Sequence, residues 1–181
     1  MDQHKHIDIM HAREDEYYKR IMSTSKHSIT GNTGIKGLRQ AKKIIIDCDP
    51  GGDDCQAMIL AFDMAKKRGI EVLGVTTVAG NGTLEHVVLN AQMVLHACGE
   101  LEVPILRGEE PFIKGKELSE YFYGPDGFGG ALLDYQEKHL KVEETNVREE
   151  STVDFLIRMA KAHPGEITIL GLAPLTNLSV A

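Results

Sequence analysis

Four aspartates fall within eight residues directly after an apolar run, in Ile44-Ile45-Ile46-Asp47-Cys48-Asp49-Pro50-Gly51-Gly52-Asp53-Asp54. Carboxylates packed that closely repel one another, so a loop that keeps them ionised needs a cation or a set of hydrogen-bond donors. A dense, all-oxygen cluster suits a hard divalent ion, Ca²⁺ or Mg²⁺. The competing reading is a solvated acidic turn. The flanking residues weigh against it. Residues 44–46 are β-branched and wholly apolar, the pattern of a strand buried on both faces of a parallel sheet. Pro50 and the Gly51-Gly52 pair break that strand and allow a tight turn with φ > 0. Asp53 or Asp54 then opens a helix, whose free N–H groups favour negative charge. The residues that follow are nearly all apolar, which predicts a largely buried helix. Lys66, Lys67 and Arg68 fall in its last turn and Gly69 stops it. The cluster therefore lies at the carboxyl end of a strand, where open α/β sheets place ligands.

The rest of the chain alternates between strand and helix patterns. Residues 71–78 read as a second strand and 83–97 as a helix capped by Thr83 and stopped by Gly99. Residues 104–106 read as a short strand. A helix over 151–163 is capped by Ser151, with Asp154 three residues on, and a strand covers 166–170. Repeated β–α units of this kind predict an α/β fold, an open, mostly parallel, doubly wound (Rossmann-like) sheet with right-handed crossovers. Residues 107–150 show no periodicity. Their centre, Tyr121-Phe122-Tyr123-Gly124-Pro125-Asp126-Gly127-Phe128-Gly129-Gly130, is aromatic and glycine-rich, and reads either as a surface loop or as a substrate-facing lid. Residues 1–42 are polar, rich in His, Lys, Glu, Ser and Gly. They read as a flexible extension with a short exposed helix over 12–22; His4, His6 and His11 are tail residues rather than ligands.

Three segments together resemble a known family. The pattern Ile-Ile-Asp-x-Asp-Pro-Gly-x-Asp-Asp is similar to the N-terminal signature of the nucleoside hydrolases, the inosine–uridine-preferring nucleoside N-ribohydrolases. Val75-Thr76-Thr77-Val78-Ala79-Gly80-Asn81-Gly82 resembles their second motif, and Ile169-Leu170-Gly171-Leu172-Ala173-Pro174-Leu175-Thr176-Asn177-Leu178 resembles a third. The motifs occur in the family's order over residues 43–181, which become the α/β domain of the expected organisation. The resemblance implies hydrolysis of the N-glycosidic bond of ribonucleosides, using water activated by an aspartate and Ca²⁺. It implies Asp49 as metal ligand and general base, Asp54 as metal ligand, and the Leu172 backbone carbonyl as a further ligand. Asp53 and Asn81 would hold the ribose, and Asp47 would orient the loop from behind the ligands. Tyr123 and Asp126 would face the base. Tyr123 stands where many relatives carry His, and Tyr is the poorer acid near pH 7. Asn177 reads as a loop stabiliser.

The family's members run well beyond residue 181, and their later half supplies another metal-binding Asp and a nearby His. The sequence therefore reads as the N-terminal part of such an enzyme. A non-catalytic relative that binds nucleoside, ribose or a full-length partner is the second reading. A third is a haloacid dehalogenase-type phosphatase, which also places Asp-x-Asp after an apolar strand, but that motif continues Gly-Thr or Gly-Val and needs no second Asp pair.

Composition narrows the partners. With 20 basic and 27 acidic residues the formal net charge is −7, which disfavours nucleic acid and anionic membranes. No apolar run reaches bilayer length and no secretory leader is expected. Cys48, Cys55 and Cys98 are odd in number and lack Cys-x-x-Cys spacing, as for reduced thiols in the cytoplasm. The expected assembly is a homo-oligomer, dimer or tetramer.

Overall fold

The β-branched run becomes the spine of a sheet. In the computed structural model, which describes residues 42–108, 122–138 and 146–181, β1 (Lys43–Cys48) is hydrogen-bonded on both sides to parallel neighbours. These are β2 (Glu71–Thr77) and a strand near the end of the chain, residues 167–171. Ile45 and Ile46 are wholly buried between the two faces. The elements in chain order are β1, α1 (Gly52–Arg68), β2, α2 (Leu84–Cys98), β3 (Ile105–Leu106), α3 (Ala131–Lys138), β4 (Val147–Arg148), α4 (Thr152–Ala162), β5 (Ile167–Gly171) and α5 (Thr176–Val180). The sheet order is β4-β3-β2-β1-β5, with every pairing parallel.

Two apolar layers cover the sheet. On one face Ile46, Val75 and Ile105 pack with Met58 and Phe62 of α1 and Val88, Ala91 and Leu95 of α2. On the other, Ile45 and Leu106 pack with Phe155 and Leu156 of α4, and Leu178 of α5 joins them. Gly74 admits the Phe155 ring: a Cβ there would lie 2.8 Å from its Cζ. This is the doubly wound α/β architecture expected from the alternation. The strand after β1 lies on one side of it and β5 on the other, and the segments leaving β1 and β5 turn to opposite faces. The crevice between their carboxyl ends is the topological switch point where open sheets bind ligands.

The caps follow the sequence. The Thr83 hydroxyl accepts from the His86 N–H at 3.2 Å, and the Ser151 hydroxyl from the Asp154 N–H at 3.5 Å. Gly69 closes α1 with φ +64°, a left-handed conformation that costs other residues strain.

Three expectations change. Helix α1 is not largely buried. Only the stripe Asp54, Cys55, Met58, Phe62 and Ala65 faces the sheet, while Ile59 and Leu60 are 49% and 61% exposed. A helix at the surface of a two-layer sheet buries one side however apolar the other side is. The stretch 107–150 does contain regular structure, α3 and β4. Helix α3 is nucleated by a carboxylate five residues upstream rather than by an adjacent cap, and β4 is two exposed residues long, so neither leaves a period to read. The loop after β5 likewise closes into the short helix α5. The polar segment 1–42, with His4, His6, His11 and the helix expected over 12–22, lies outside the described residues except for its last position. So does Tyr121.

Candidate active site at the carboxyl edge of the sheet

Strand register brings the motifs together. Asp47 pairs with Thr76 of β2 on one side and Gly171 of β5 on the other. Its side chain is fully buried. One carboxylate oxygen accepts from the Thr76 hydroxyl at 2.6 Å and from the Asn177 amide at 2.8 Å. The same Asn177 amide donates to the Thr77 carbonyl at 3.0 Å, and the Leu172 N–H donates to the Asp47 carbonyl at 2.8 Å. Asp47 thus ties β1, β2 and the segment after β5 into one unit, with Leu172 beside it. Burial raises its pKa, and the Thr76 and Asn177 hydrogen bonds oppose that rise.

Two residues on, Asp49 is 6% exposed, and Asp54, in the first turn of α1, is 5% exposed. Asn81 joins them. Its backbone N–H donates to Asp49 Oδ2 at 2.9 Å, and its side-chain amide donates to the Asp49 carbonyl at 3.0 Å and to Asp54 Oδ2 at 3.3 Å. Gly80 lets this happen: a Cβ there would sit 2.0 Å from Asp49 Oδ2. Burial, then the charge of Asp54, pushes the Asp49 carboxyl up to about 7. Burial, then the charge of Asp53, pushes Asp54 up to about 6. Asp53 itself is solvent-exposed on the outer side of the same turn.

These residues fit a divalent cation in part. Asp54 Oδ1 is buried with no hydrogen-bond partner, as is Asp47 Oδ2. Two neighbouring carboxylates with elevated pKa values are what a hard cation would relieve. Among the described residues, however, no three His, Cys, Asp or Glu side chains converge as a metal cluster. Asp49 and Asp54 supply two side-chain ligands, and the remaining oxygens of a Ca²⁺ shell of roughly six to eight must come from elsewhere.

The middle loop leans on this site. The Tyr123 ring covers the Gly51-Gly52 turn; a Cβ on Gly51 would meet its Cδ2 at 2.9 Å. Asp126 is buried, and its carboxylate accepts from the N–H groups of Phe128 (2.8 Å), Gly130 (2.9 Å) and Leu132 (3.2 Å). Burial raises the Asp126 pKa, but these donors bring it below its ordinary value overall. Its carboxylate therefore builds the loop that carries Tyr123.

Asn90 was not singled out in the sequence. It sits fully buried in α2 and donates to the Pro50 carbonyl at 2.8 Å and the Asp126 carbonyl at 2.9 Å, pinning the aspartate loop to the middle loop. The available signal was an amide between Leu89 and Ala91 inside an apolar helix. Asn90→Ala leaves two buried carbonyls unpaired, each costing about 1–3 kcal/mol. We expect thermal denaturation to show a midpoint lowered by about 4–24 °C, taking about 2–4 °C per kcal/mol for a chain of this size. A loss under about 2 °C would refute the pinning role.

The three cysteines are unpaired. Burial raises the thiol pKa of each, that of Cys55 to about 12, so they persist as thiols. No helix among the described residues is long and apolar enough to cross a membrane.

Residues 44–181 match the family model described as inosine-uridine preferring nucleoside hydrolase. A probable uridine nucleosidase 2 from Oryza sativa subsp. japonica is 37% identical over 142 residues, 77% of this chain and 40% of the relative. The pyrimidine-specific ribonucleoside hydrolase RihB from Escherichia coli O9:H4 is 35% identical over 147 residues, 78% of this chain and 42% of RihB. Among solved structures, the plant nucleoside hydrolase PpNRh1 superposes with a TM-score of 0.62 at 30% identity, covering 78% of this chain and 42% of that one. The chain thus spans about 40% of the length of the curated relatives it matches.

Proposed function

Because the chain belongs to the inosine-uridine preferring nucleoside hydrolase family, we propose that it serves hydrolysis of the N-glycosidic bond of ribonucleosides, giving free base and ribose. The observation that carries this reading is the Asp49–Asn81–Asp54 cluster at the switch point of the sheet. In the metal-free chain burial, then the charge of Asp54, raises the Asp49 carboxyl toward the range where a general base works, and a bound cation would lower it again.

In this account Asp49 takes a proton from water attacking the anomeric carbon. The bond to the base nitrogen breaks as the water oxygen bonds to carbon, positive charge builds on the ribose ring, and the departing nitrogen keeps the bonding pair and takes up a proton from solvent. Asp53 and Asp54 face that charge with negative charge already in place. Asp53 and Asn81 hold the ribose hydroxyls. Asp47 keeps the loop in register, and Tyr123 stands on the base side, on the loop that Asp126 shapes. Asp49, Asp54 and the Leu172 carbonyl would hold Ca²⁺, which supplies Lewis acidity and orientation to the attacking water.

A second reading is nucleoside binding without turnover by the same Asp49–Asn81–Asp54 cluster. The phosphatase reading falls with the family assignment. We place the protein in the cytoplasm, in keeping with its three thiols, and expect a homo-oligomer, dimer or tetramer.

The test is to incubate the purified chain with Ca²⁺ and either uridine or inosine and to separate free base from nucleoside chromatographically. Release of uracil or hypoxanthine that Asp49→Asn abolishes supports hydrolysis. Saturable nucleoside binding with no release of base supports the second reading instead.

A further inference from the structure

We propose that Asn81 is a positioning residue for the cation: it holds the Asp49 and Asp54 carboxylates at a fixed separation before the ion arrives. This rests on the cation reading of those two aspartates given above. Neighbouring carboxylates repel, and without donors between them they turn apart. Asn81 opposes that with three donated hydrogen bonds. Its backbone N–H reaches Asp49 Oδ2 at 2.9 Å, and its side-chain amide reaches the Asp49 carbonyl at 3.0 Å and Asp54 Oδ2 at 3.3 Å. An amide nitrogen carries two hydrogens, so one is anchored on the main chain just after β1 and the other is aimed at the first turn of α1. A single planar group therefore spans the two segments that carry the carboxylates.

The holder is itself held. The Gly80 N–H donates to the Gly82 carbonyl at 3.2 Å, which closes a tight turn around Asn81. Glycines of two other loops face it at close range. A Cβ on Gly51 would lie 2.8 Å from Asn81 Nδ2 and 3.0 Å from its Cγ, and a Cβ on Gly127 would lie 3.3 Å from the Asn81 carbonyl oxygen. The aspartate loop and the middle loop thus close on Asn81 and leave its side chain little room to turn. The outcome is visible at Asp54. Its Oδ2 is committed to Asn81, while its Oδ1 is buried with no hydrogen-bond partner, in the state a cation would relieve. Other side chains do this less well, since an aspartate has no donor when ionised and a serine has one. Oδ1 of Asn81 is the polar atom not spent on the aspartates, so the ribose contact assigned to this residue is as an acceptor from a hydroxyl.

An ion that meets preset ligands does not have to order them, and hydrogen-bond partners of ligating carboxylates are worth about 10–100-fold in metal affinity. The experiment is calorimetric titration of the full chain with CaCl₂, for wild type, Asn81→Leu, Asn81→Ala, Asp54→Asn and Leu156→Ala, each at a temperature where circular dichroism shows it folded. Asn81→Leu keeps the bulk beside Gly51 and removes both side-chain donors. Asn81→Ala removes them with no risk of crowding, and both variants keep the backbone N–H on Asp49. Each is expected to bind Ca²⁺ about 10–100-fold more weakly than wild type. Leu156→Ala opens a cavity on the opposite face of the sheet; it should melt lower than wild type and bind Ca²⁺ equally well. A merely structural Asn81 would behave as that control does. If the Asn81 variants bind Ca²⁺ like wild type while Asp54→Asn does not, the positioning role is wrong and the cation reading stands. If neither Asn81 variant folds, or if Leu156→Ala weakens Ca²⁺ binding as much as they do, loss of stability accounts for the effect and the positioning role is likewise wrong. If wild type binds no Ca²⁺, the cation reading fails and this inference fails with it.

Discussion

Asp54→Asn is expected to weaken Ca²⁺ binding about 100-fold in calorimetric titration, at the upper end of what disturbed metal sites lose. The reason is the state of its carboxylate. One oxygen is clamped by the Asn81 amide, and the other is buried without a partner. A cation bound there would satisfy that second oxygen, and an amide cannot supply the charge. The same substitution should act in the opposite direction on the metal-free protein. Burial and the neighbouring Asp53 charge raise the Asp54 pKa from 3.8 to about 6, and burial and Asp54 raise Asp49 to about 7. A carboxyl with a raised folded-state pKa favours the folded state fully below the unfolded value, and that contribution is lost as pH rises through the folded value. Metal-free wild type should therefore be less stable at pH 8 than at pH 5 from these two groups. Asp54→Asn should raise its midpoint at pH 8 by about 2–4 °C, or about 1 kcal/mol after solvent screening. Protons and Ca²⁺ compete for the same oxygens, so wild-type affinity should climb between pH 5 and 7 and level off above. Equal Ca²⁺ binding by wild type and variant would remove Asp54 from the site.

Gly80→Ala should be as damaging without touching a charged residue. The Gly80 φ angle is not positive, so the cost is contact alone. The added methyl would lie 2.0 Å from Asp49 Oδ2 and 2.9 Å from its Cγ. Asp49 is short and buried, and to escape it must break its hydrogen bond to the Asn81 N–H. Overpacking of this kind costs about 1–3 kcal/mol, or about 2–12 °C in midpoint. Ca²⁺ binding should fall about 100-fold, because the displaced oxygen belongs to a proposed ligand. A variant that melts like wild type and binds Ca²⁺ like wild type would show that the Gly80–Asp49 contact is not part of the site.

The carboxyl edge of the sheet was legible because its signals are local. Ile44, Ile45 and Ile46 mark a strand covered on both faces, and Thr83, Gly99 and Ser151 mark helix ends; at the Gly51-Gly52 pair the strand does end, but neither residue has the positive φ of the expected turn, and Gly52 already opens α1. The residues that connect loops were not legible. Asn90 reads as an oddity inside an apolar helix until the fold brings Pro50 and Asp126 to it. Asp126 looks like a ligand-facing carboxylate until its oxygens are seen on three backbone N–H groups. Gly80 looks like half of a Gly-Asn turn until the Asp49 oxygen fills the place of its missing side chain. Helix α1 misled in the other direction. Ile59 and Leu60 are apolar and exposed, since composition reports what a helix could bury and packing decides which side it does bury.

The central claim is that the aspartate loop, with a cation held by Asp49 and Asp54, forms the ribonucleoside site. Calorimetric titration of the chain with uridine, in Ca²⁺ and again in excess chelator, tests it most directly. The account predicts saturable binding in Ca²⁺, lost in chelator and lost in Asp49→Asn under either condition. Uridine binding of equal strength with and without Ca²⁺, unaffected by Asp49→Asn, would contradict it.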